Sequence, residues 1–198
     1  TGDVGTGKTT LAQILFNELK RYSNVVSAQL VMSQFEGGDL LELIVDAFGL
    51  PARNRSQADL IAELEDFLRQ QYRLRKRVIL LLDEVQNLPF SGLETLRMLS
   101  NFQEKQHPLL QSLLLGQAEF RDALQRPTME QVRQRVVASC HLEPFSLEET
   151  RGYIEHRLGQ VGWARDPEIP AAVFGAIHEA TAGVPRRINT FCDRLLLF

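Results

Sequence analysis

The chain has 198 residues, of which 44% are hydrophobic and 24% are charged, and this composition fits one globular domain or one domain with a small appendage. The 22 basic and 25 acidic side chains give a net charge of −3, which argues against direct nucleic-acid binding, because domains of that class are usually basic. The longest aliphatic run, Val78 to Leu82, is five residues, whereas a membrane helix needs roughly 20. We therefore expect no membrane span in this chain. Cys140 and Cys192 are too few for a disulfide scaffold, so we also expect a reduced, cytoplasmic protein.

The residues up to 142 alternate between helical and strand patterns. Leu11, Ile14, Leu15 and Leu19 recur at three- and four-residue steps and mark an amphipathic helix. The apolar run at 78–82 is typical of a strand that is covered on both faces of a parallel sheet. In chain order, the patterns predict a helix to about Arg21, a strand over 25–31, helices over 40–48 and 60–72, a strand over 78–82 and a helix over 91–100. They then predict a buried strand over 109–115 that is broken only by Gln111 and Ser112, short helices over 119–124 and 128–134, and a strand over 136–142. Strands separated by helices predict an α/β fold with a parallel sheet flanked by helices.

From Pro144 onwards the sequence predicts helices only. Ser146 and Glu149 have the spacing of a capping box, which predicts a helix from there to about 161. Pro170 can open a second helix that ends before Gly183. A third helix can begin at Pro185, and its predicted apolar face is Ile188, Phe191, Cys192, Leu195 and Leu196, with Phe198 still inside the helix. We therefore expect a core domain over 1–144 and a small all-helical lid over 145–198, cut short at its C-terminus.

A glycine-rich loop opens the chain. The segment Gly2-Asp3-Val4-Gly5-Thr6-Gly7-Lys8-Thr9 matches G-x-x-x-x-G-K-[ST] at every position and is followed directly by a predicted helix. Such a loop cradles phosphates with its backbone N–H groups, and the positive end of the helix dipole adds to their binding. We expect Lys8 to neutralise charge on the β- and γ-phosphates of a nucleotide, and the Thr9 hydroxyl to coordinate Mg²⁺. The predicted nucleotide-binding residues are Gly2, Asp3, Val4, Gly5, Thr6, Gly7, Lys8, Thr9 and Thr10.

An acidic pair, Asp83-Glu84, ends the strand predicted at 78–82. A carboxylate at the tip of a buried strand fits Mg²⁺ coordination through water, which suits Asp83. Glu84 would then polarise the attacking water as a general base. The alternative is an ordinary acidic pair at a solvent-exposed strand tip, which the glycine-rich loop upstream makes the weaker interpretation.

Four further side chains are candidates for contact with nucleotide. Gln117 follows the strand predicted at 109–115 and could hydrogen-bond the γ-phosphate or the attacking water, or be a simple polar loop residue. Arg133 or Arg135 could reach a neighbouring subunit's nucleotide as an arginine finger, or form surface salt bridges. Arg186 lies at the start of the last predicted helix, where it could reach the γ-phosphate or be a plain helix-terminal arginine.

Taken in order, these motifs resemble an AAA+ ATPase. The resemblance assigns the opening loop as Walker A, Asp83-Glu84 as Walker B, Gln117 as sensor 1, Arg133 or Arg135 as the arginine finger and Arg186 as sensor 2. The longer strings at 82–88, 115–120 and 183–189 are similar to the general secretion pathway protein A family, whose ATPases act in type II secretion and related envelope systems. The resemblance covers the whole chain.

The resemblance implies ATP hydrolysis with Mg²⁺ in a homo-oligomer with shared ATP sites. It implies assembly or remodelling work in a secretion or cell-envelope system, with a partner reached through segments absent here and a position at the inner membrane in the full-length protein. Two alternatives are an ATPase regulator of DNA transposition and a nucleotide-dependent interaction switch with little turnover. The strand that precedes the loop in the AAA+ core is missing, so we expect a piece without it to be poorly stable and to bind ATP weakly.

Overall fold

Three parallel strands form the main sheet of the computed structural model, which describes residues 1–34, 39–166 and 168–195. They are β1 (Val25–Val31), β2 (Arg77–Asp83) and β5 (Leu110–Leu114), and their order across the sheet is β1-β2-β5. The central strand β2 pairs in register with both neighbours, so that Val78 lies between Val26 and Leu110. The mixed α/β architecture with a parallel sheet confirms the predicted fold class.

Helices connect and cover these strands. Their bounds are α1 (Lys8–Leu19), α2 (Leu40–Ala47), α3 (Gln57–Arg73), α4 (Phe90–Leu99), α5 (Ala118–Leu124), α6 (Glu130–Arg133), α7 (Leu147–Gln160), α8 (Ala171–Thr181) and α9 (Pro185–Leu195). The helices and the first three strands of the sequence prediction therefore exist in the predicted order, with ends shifted by a few residues.

The side chains of β2 alternate between two apolar clusters, as the period of a strand requires. Val78, Leu80 and Leu82 pack in the large cluster formed with α2, α3 and α4. Leu81 points to the opposite face, where it packs with Ala12 and Phe16 of α1 and with Leu115. Helices therefore cover both faces of β2, which explains its uninterrupted apolar sequence.

The backbone divides into two compact units, each with its own core. One unit holds Thr1 and residues 9–140, and the other holds Gly2–Lys8 together with 141–198. In the second unit, α7, α8 and α9 pack around Ile154, Phe174, Ile177 and Ile188. The capping box predicted for α7 is present, because Ser146 accepts from the backbone N–H of Glu149 and Glu149 accepts from that of Ser146.

The predicted strand at 136–142 is wrong. Leu142 forms a single parallel bridge with Gly2, and residues 136–141 have no regular secondary structure. Val136 and Val137 are 39% and 100% exposed, although β-branched residues favour strands. A strand forms only when a neighbour hydrogen-bonds along its length, and pairing over one residue is too short for that.

Three further details differ from the sequence prediction. The apolar stripe Leu11, Ile14 and Leu15 of α1 is exposed, and the helix uses Ala12 and Phe16 to contact the sheet instead. The strand at 109–115 is predicted to be buried except at Gln111 and Ser112, but Leu113 is exposed as well, because β5 is at an edge of the three-stranded sheet. The sequence also missed a short hairpin of β3 (Gln103–Glu104) and β4 (His107–Pro108). Leu196 and Phe198, assigned to the last helix, lie outside the described residues.

Candidate functional site

The glycine-rich loop is a tight turn that leads into the first residue of α1. Gly5 and Gly7 have φ of +86° and +95°, a backbone region that only glycine enters at little cost. The loop is stabilised internally, because the Thr6 hydroxyl donates to the carbonyl of Asp3 at 2.9 Å. Thr6 is buried, whereas Val4, Thr9 and Thr10 are exposed.

The Lys8 ammonium is held by the loop that precedes it. Its Nζ donates to the carbonyl oxygens of Gly2 and Asp3, each at 2.7 Å, and the side chain is only 8% exposed. An ammonium has three N–H donors, so two are used by the loop and a third remains for an anion. The loop therefore presents a fixed, largely buried positive charge at the N-terminus of a helix, which is an arrangement that suits a phosphate.

The structure brings Arg186 against this loop. The backbone N–H of Arg186 donates to the carbonyl of Gly5 at 3.2 Å. A Cβ placed on Gly5 would lie 2.9 Å from the Arg186 Cβ and 3.2 Å from Val184 Cγ1, so a larger residue does not fit there. The N-terminus of α9 and the glycine-rich loop are thus packed backbone to backbone, and Arg186 itself is exposed.

Asp83 ends β2 in a buried position with one carboxylate oxygen unused. The residue is 1% exposed, and its Oδ1 accepts from the backbone N–H of Glu84 at 2.9 Å. Its Oδ2 has no hydrogen-bond partner among the described residues. A buried carboxylate oxygen without a partner costs free energy, and it is a suitable acceptor for a water molecule that coordinates Mg²⁺.

Glu84 follows in an unusual backbone conformation, and two glutamines contact its carboxylate. Its φ of 59° and ψ of 38° are left-handed, which is uncommon for a residue with a side chain and is typical of functional sites. Its Oε2 accepts from Nε2 of Gln86 and, at 3.3 Å, from Nε2 of Gln117. Gln117 precedes the first residue of α5 without using its side chain to cap that helix, so its amide is available to Glu84.

The two arginines proposed as fingers make contacts within their own part of the chain. Arg133 forms an ion pair with Glu130 and donates to Gln125 at 3.2 Å. Arg135 donates from Nη2 to Oδ1 of Asn101 at 2.6 Å. Both are exposed.

The structure groups the predicted site residues in three places. Lys8 and Arg186 lie with the glycine-rich loop, Asp83, Glu84 and Gln117 lie at the carboxyl ends of β2 and β5, and Arg133 and Arg135 lie at and beyond the end of α6. Gln86 belongs to the second group and was missed in the sequence. Its position two residues after Glu84 could have indicated this contact, because a turn after Glu84 can bring the Gln86 side chain back to the Glu84 carboxylate.

Fold and motifs together define the class of P-loop AAA domains. The profile of the AAA domain family matches residues 1–124. The chain belongs to this family, and membership implies ATPase activity. No helix among the described residues has the length and hydrophobicity to span a membrane.

One curated protein is similar along the whole chain. General secretion pathway protein A of Aeromonas hydrophila is 35% identical over 198 residues. The match includes 100% of this chain but only 36% of that relative, so the chain spans about a third of its length.

Solved structures of two archaeal proteins, ORC2 and Cdc6p, share the fold. The ADP form of the Aeropyrum pernix ORC2 protein superposes with a TM-score of 0.65 at 22% identity, covering 94% of this chain and 53% of that one. Cdc6p of Pyrobaculum aerophilum has a TM-score of 0.65 at 20% identity, covering 95% and 49%. These likenesses confirm an AAA-type α/β fold with a helical C-terminal region.

Proposed function

We propose that this chain is the ATP-hydrolysing module of a larger protein that drives assembly or remodelling in a secretion or cell-envelope system. ATP would bind through the glycine-rich loop, with Lys8 neutralising phosphate charge and the backbone N–H groups of 2–8 donating to phosphate oxygens. The buried Lys8 ammonium, fixed by two loop carbonyls, supports this role.

The observation that carries the proposal is the arrangement at Asp83-Glu84. Glu84 has a carboxylate oxygen held by amide donors, which is the state expected of a positioned general base. In the proposed reaction Glu84 accepts a proton from water as that water attacks the γ-phosphorus. The bond from this phosphorus to the β–γ bridging oxygen breaks, so that ADP leaves and inorganic phosphate forms. Lys8 stabilises the charge that develops on the phosphate oxygens.

Mg²⁺ fits the residues present. The unpartnered, buried Oδ2 of Asp83 is an oxygen acceptor of the kind that Mg²⁺ uses through a bound water, and Thr9 supplies a hydroxyl at the start of α1. When bound with ATP, the ion would neutralise charge on the β- and γ-phosphates.

The assignment to secretion is supported by the relative from Aeromonas hydrophila, which is named for the general secretion pathway. The protein would act as a homo-oligomer with ATP sites shared between subunits. Arg133 or Arg135 would contact the nucleotide of the neighbouring subunit. Arg186 would couple the position of α9 to the nucleotide state. A regulator of DNA transposition is the alternative system, and the net charge of −3 does not favour direct DNA contact.

The test is ATP turnover by the full-length protein and its Glu84→Gln variant. The variant should bind ATP like the wild type while hydrolysis falls about 100-fold or more, the usual contribution of a general base. Glu179→Gln, which changes an exposed carboxylate on α8, is the matched control and should leave turnover unchanged. Tight ATP binding with negligible wild-type turnover would instead support the nucleotide-dependent switch. Wild-type turnover in Glu84→Gln would refute the assigned base.

A further inference from the structure

We infer that Gln86 is a positioning residue for the general base Glu84, an inference that rests on the proposed ATP hydrolysis. Gln86 lies in the 3₁₀ turn Val85–Asn87, directly after Glu84. Its side-chain amide bridges two groups: Nε2 donates to Glu84 Oε2, and Oε1 accepts from the backbone N–H of Gln117 at 3.1 Å. The amide therefore connects the ends of β2 and β5.

The orientation of the Gln86 amide is determined by its partners. A backbone N–H can only donate, so the group that faces Gln117 N must be the carbonyl oxygen of Gln86. An ionised carboxylate can only accept, so the group that faces Glu84 must be the NH₂. Reversing the amide would place two donors together at Gln117 and two acceptors together at Glu84. The bridge thus has one stable arrangement.

The backbone around this bridge is also fixed. Val85 N donates to the carbonyl of Leu115 at 3.0 Å, and Leu115 N donates to the carbonyl of Leu82 at 2.8 Å. These bonds hold the turn after β2 against the end of β5. The backbone position of Glu84 is therefore set without Gln86, and the contribution of Gln86 is to select one direction for the Glu84 side chain.

The two amides act on one oxygen of the base. Gln86 and Gln117 both donate to Glu84 Oε2, and within the described part of the chain Oε1 accepts from no protein donor. Oε1 is therefore the oxygen that accepts the proton from the attacking water, and the two glutamines fix the orientation of the carboxylate by holding Oε2. A misplacement of about 1 Å in such a group can cost roughly 100-fold in rate.

The experiment compares variants of Gln86 in the full-length protein by steady-state ATP hydrolysis. Gln86→Met keeps the length and volume of the side chain but removes both hydrogen bonds. We expect kcat to fall about 10- to 100-fold, with KM for ATP within roughly threefold of wild type, because positioning affects the chemical step alone. Asn87→Ala is the matched control: it perturbs the same turn, through the bond of Asn87 to the carbonyl of Met32 at 3.3 Å, and should leave kcat near wild type.

Gln86→Glu separates positioning from simple structural support. Its carboxylate still accepts from the Gln117 N–H but cannot donate to Glu84, and it places like charges side by side. If Gln86 only braces the backbone of Gln117, this variant should restore kcat relative to Gln86→Met. If it positions Glu84, kcat should remain as low as in Gln86→Met or lower. If a thermal melt shows that Gln86→Met is unstable, Gln86→Glu serves as the test variant in its place.

A double-mutant cycle completes the test. In a Glu84→Gln background, Gln86→Met should have no further effect on kcat, because the base through which Gln86 acts is already absent. An equal loss in both backgrounds, or a kcat for Gln86→Met within twofold of wild type, overturns the inference while leaving ATP hydrolysis intact. Absence of wild-type turnover, or full activity of Glu84→Gln alone, refutes the proposed function and the inference with it.

Discussion

Gly183 is the position at which a single methyl group should most strongly perturb the helical unit. It has φ of +68°, and a Cβ built there would lie 2.0 Å from the carbonyl oxygen of Phe145. The two residues are also joined by a bond from Phe145 N to Gly183 O at 2.9 Å. Gly183→Ala therefore introduces backbone strain and forces the two backbone segments apart.

The expected cost is the sum of three terms. The left-handed conformation costs alanine about 1 kcal/mol, loss of the Phe145 hydrogen bond about 1 kcal/mol, and residual overpacking at least about 1 kcal/mol. Local opening at Phe145 should become easier by about 3 kcal/mol, which corresponds to roughly 100-fold faster amide exchange at about 1.4 kcal/mol per tenfold change.

Native-state hydrogen exchange measures this effect, because the Phe145 amide is the donor in question. Ala182→Gly is the matched control at the preceding residue, which has φ of 51°. Glycine relieves the left-handed strain of Ala182, but it also raises the entropy of the unfolded chain. The net effect should be about 0.5 kcal/mol of added stability in this variant. Exchange at Phe145 within threefold of wild type in Gly183→Ala would show that the close packing of Gly183 against Phe145 does not determine this opening.

Two further pairs of substitutions test the proposed roles of Lys8 and of the two arginines. Lys8→Met should weaken ATP binding roughly 10- to 100-fold, because charge-assisted hydrogen bonds contribute about 1.5–3 kcal/mol. Lys20→Met, which changes a lysine just beyond α1, is the control. Equal ATP affinities of Lys8→Met and wild type in calorimetry would contradict the role of Lys8. Arg135 is bonded to the neutral Asn101, whereas Arg133 is ion-paired with Glu130, so Arg135 is more easily released for a neighbouring subunit. If ATP sites are shared between subunits, turnover per subunit rises with protein concentration. Arg135→Ala should abolish this rise, whereas Arg133→Ala should retain it. The opposite result would make Arg133 the arginine that contacts the neighbour's nucleotide.

Motifs whose chemistry depends on local spacing could be predicted from the sequence. Lys8 is recognisable because a phosphate-binding loop needs glycines and a lysine at fixed positions, and Asp83 because it ends an apolar run. Capping residues such as Ser146 are likewise local, and the structure has the expected reciprocal bonds. These features need only a few consecutive residues to be identified.

Features that depend on distant partners could not be predicted. The bridge from Gln86 to Gln117 joins the ends of two strands that are adjacent only in the folded sheet. The stripe of α1 that contacts the sheet is set by Ala12, which is small enough for close packing, rather than by the larger apolar residues such as Leu11. The segment at 136–142 contains β-branched residues, but its pairing is limited to Leu142.

Glu84 is proposed to act as the general base of an ATP hydrolysis reaction. The most direct measurement is single-turnover phosphate release, with full-length wild type or Glu84→Gln in excess over ATP and at a concentration at which all of the ATP is bound. The first-order rate of phosphate release should fall about 100-fold or more in the variant while the amount of bound ATP stays the same. Equal rates of phosphate release from the two proteins would contradict it.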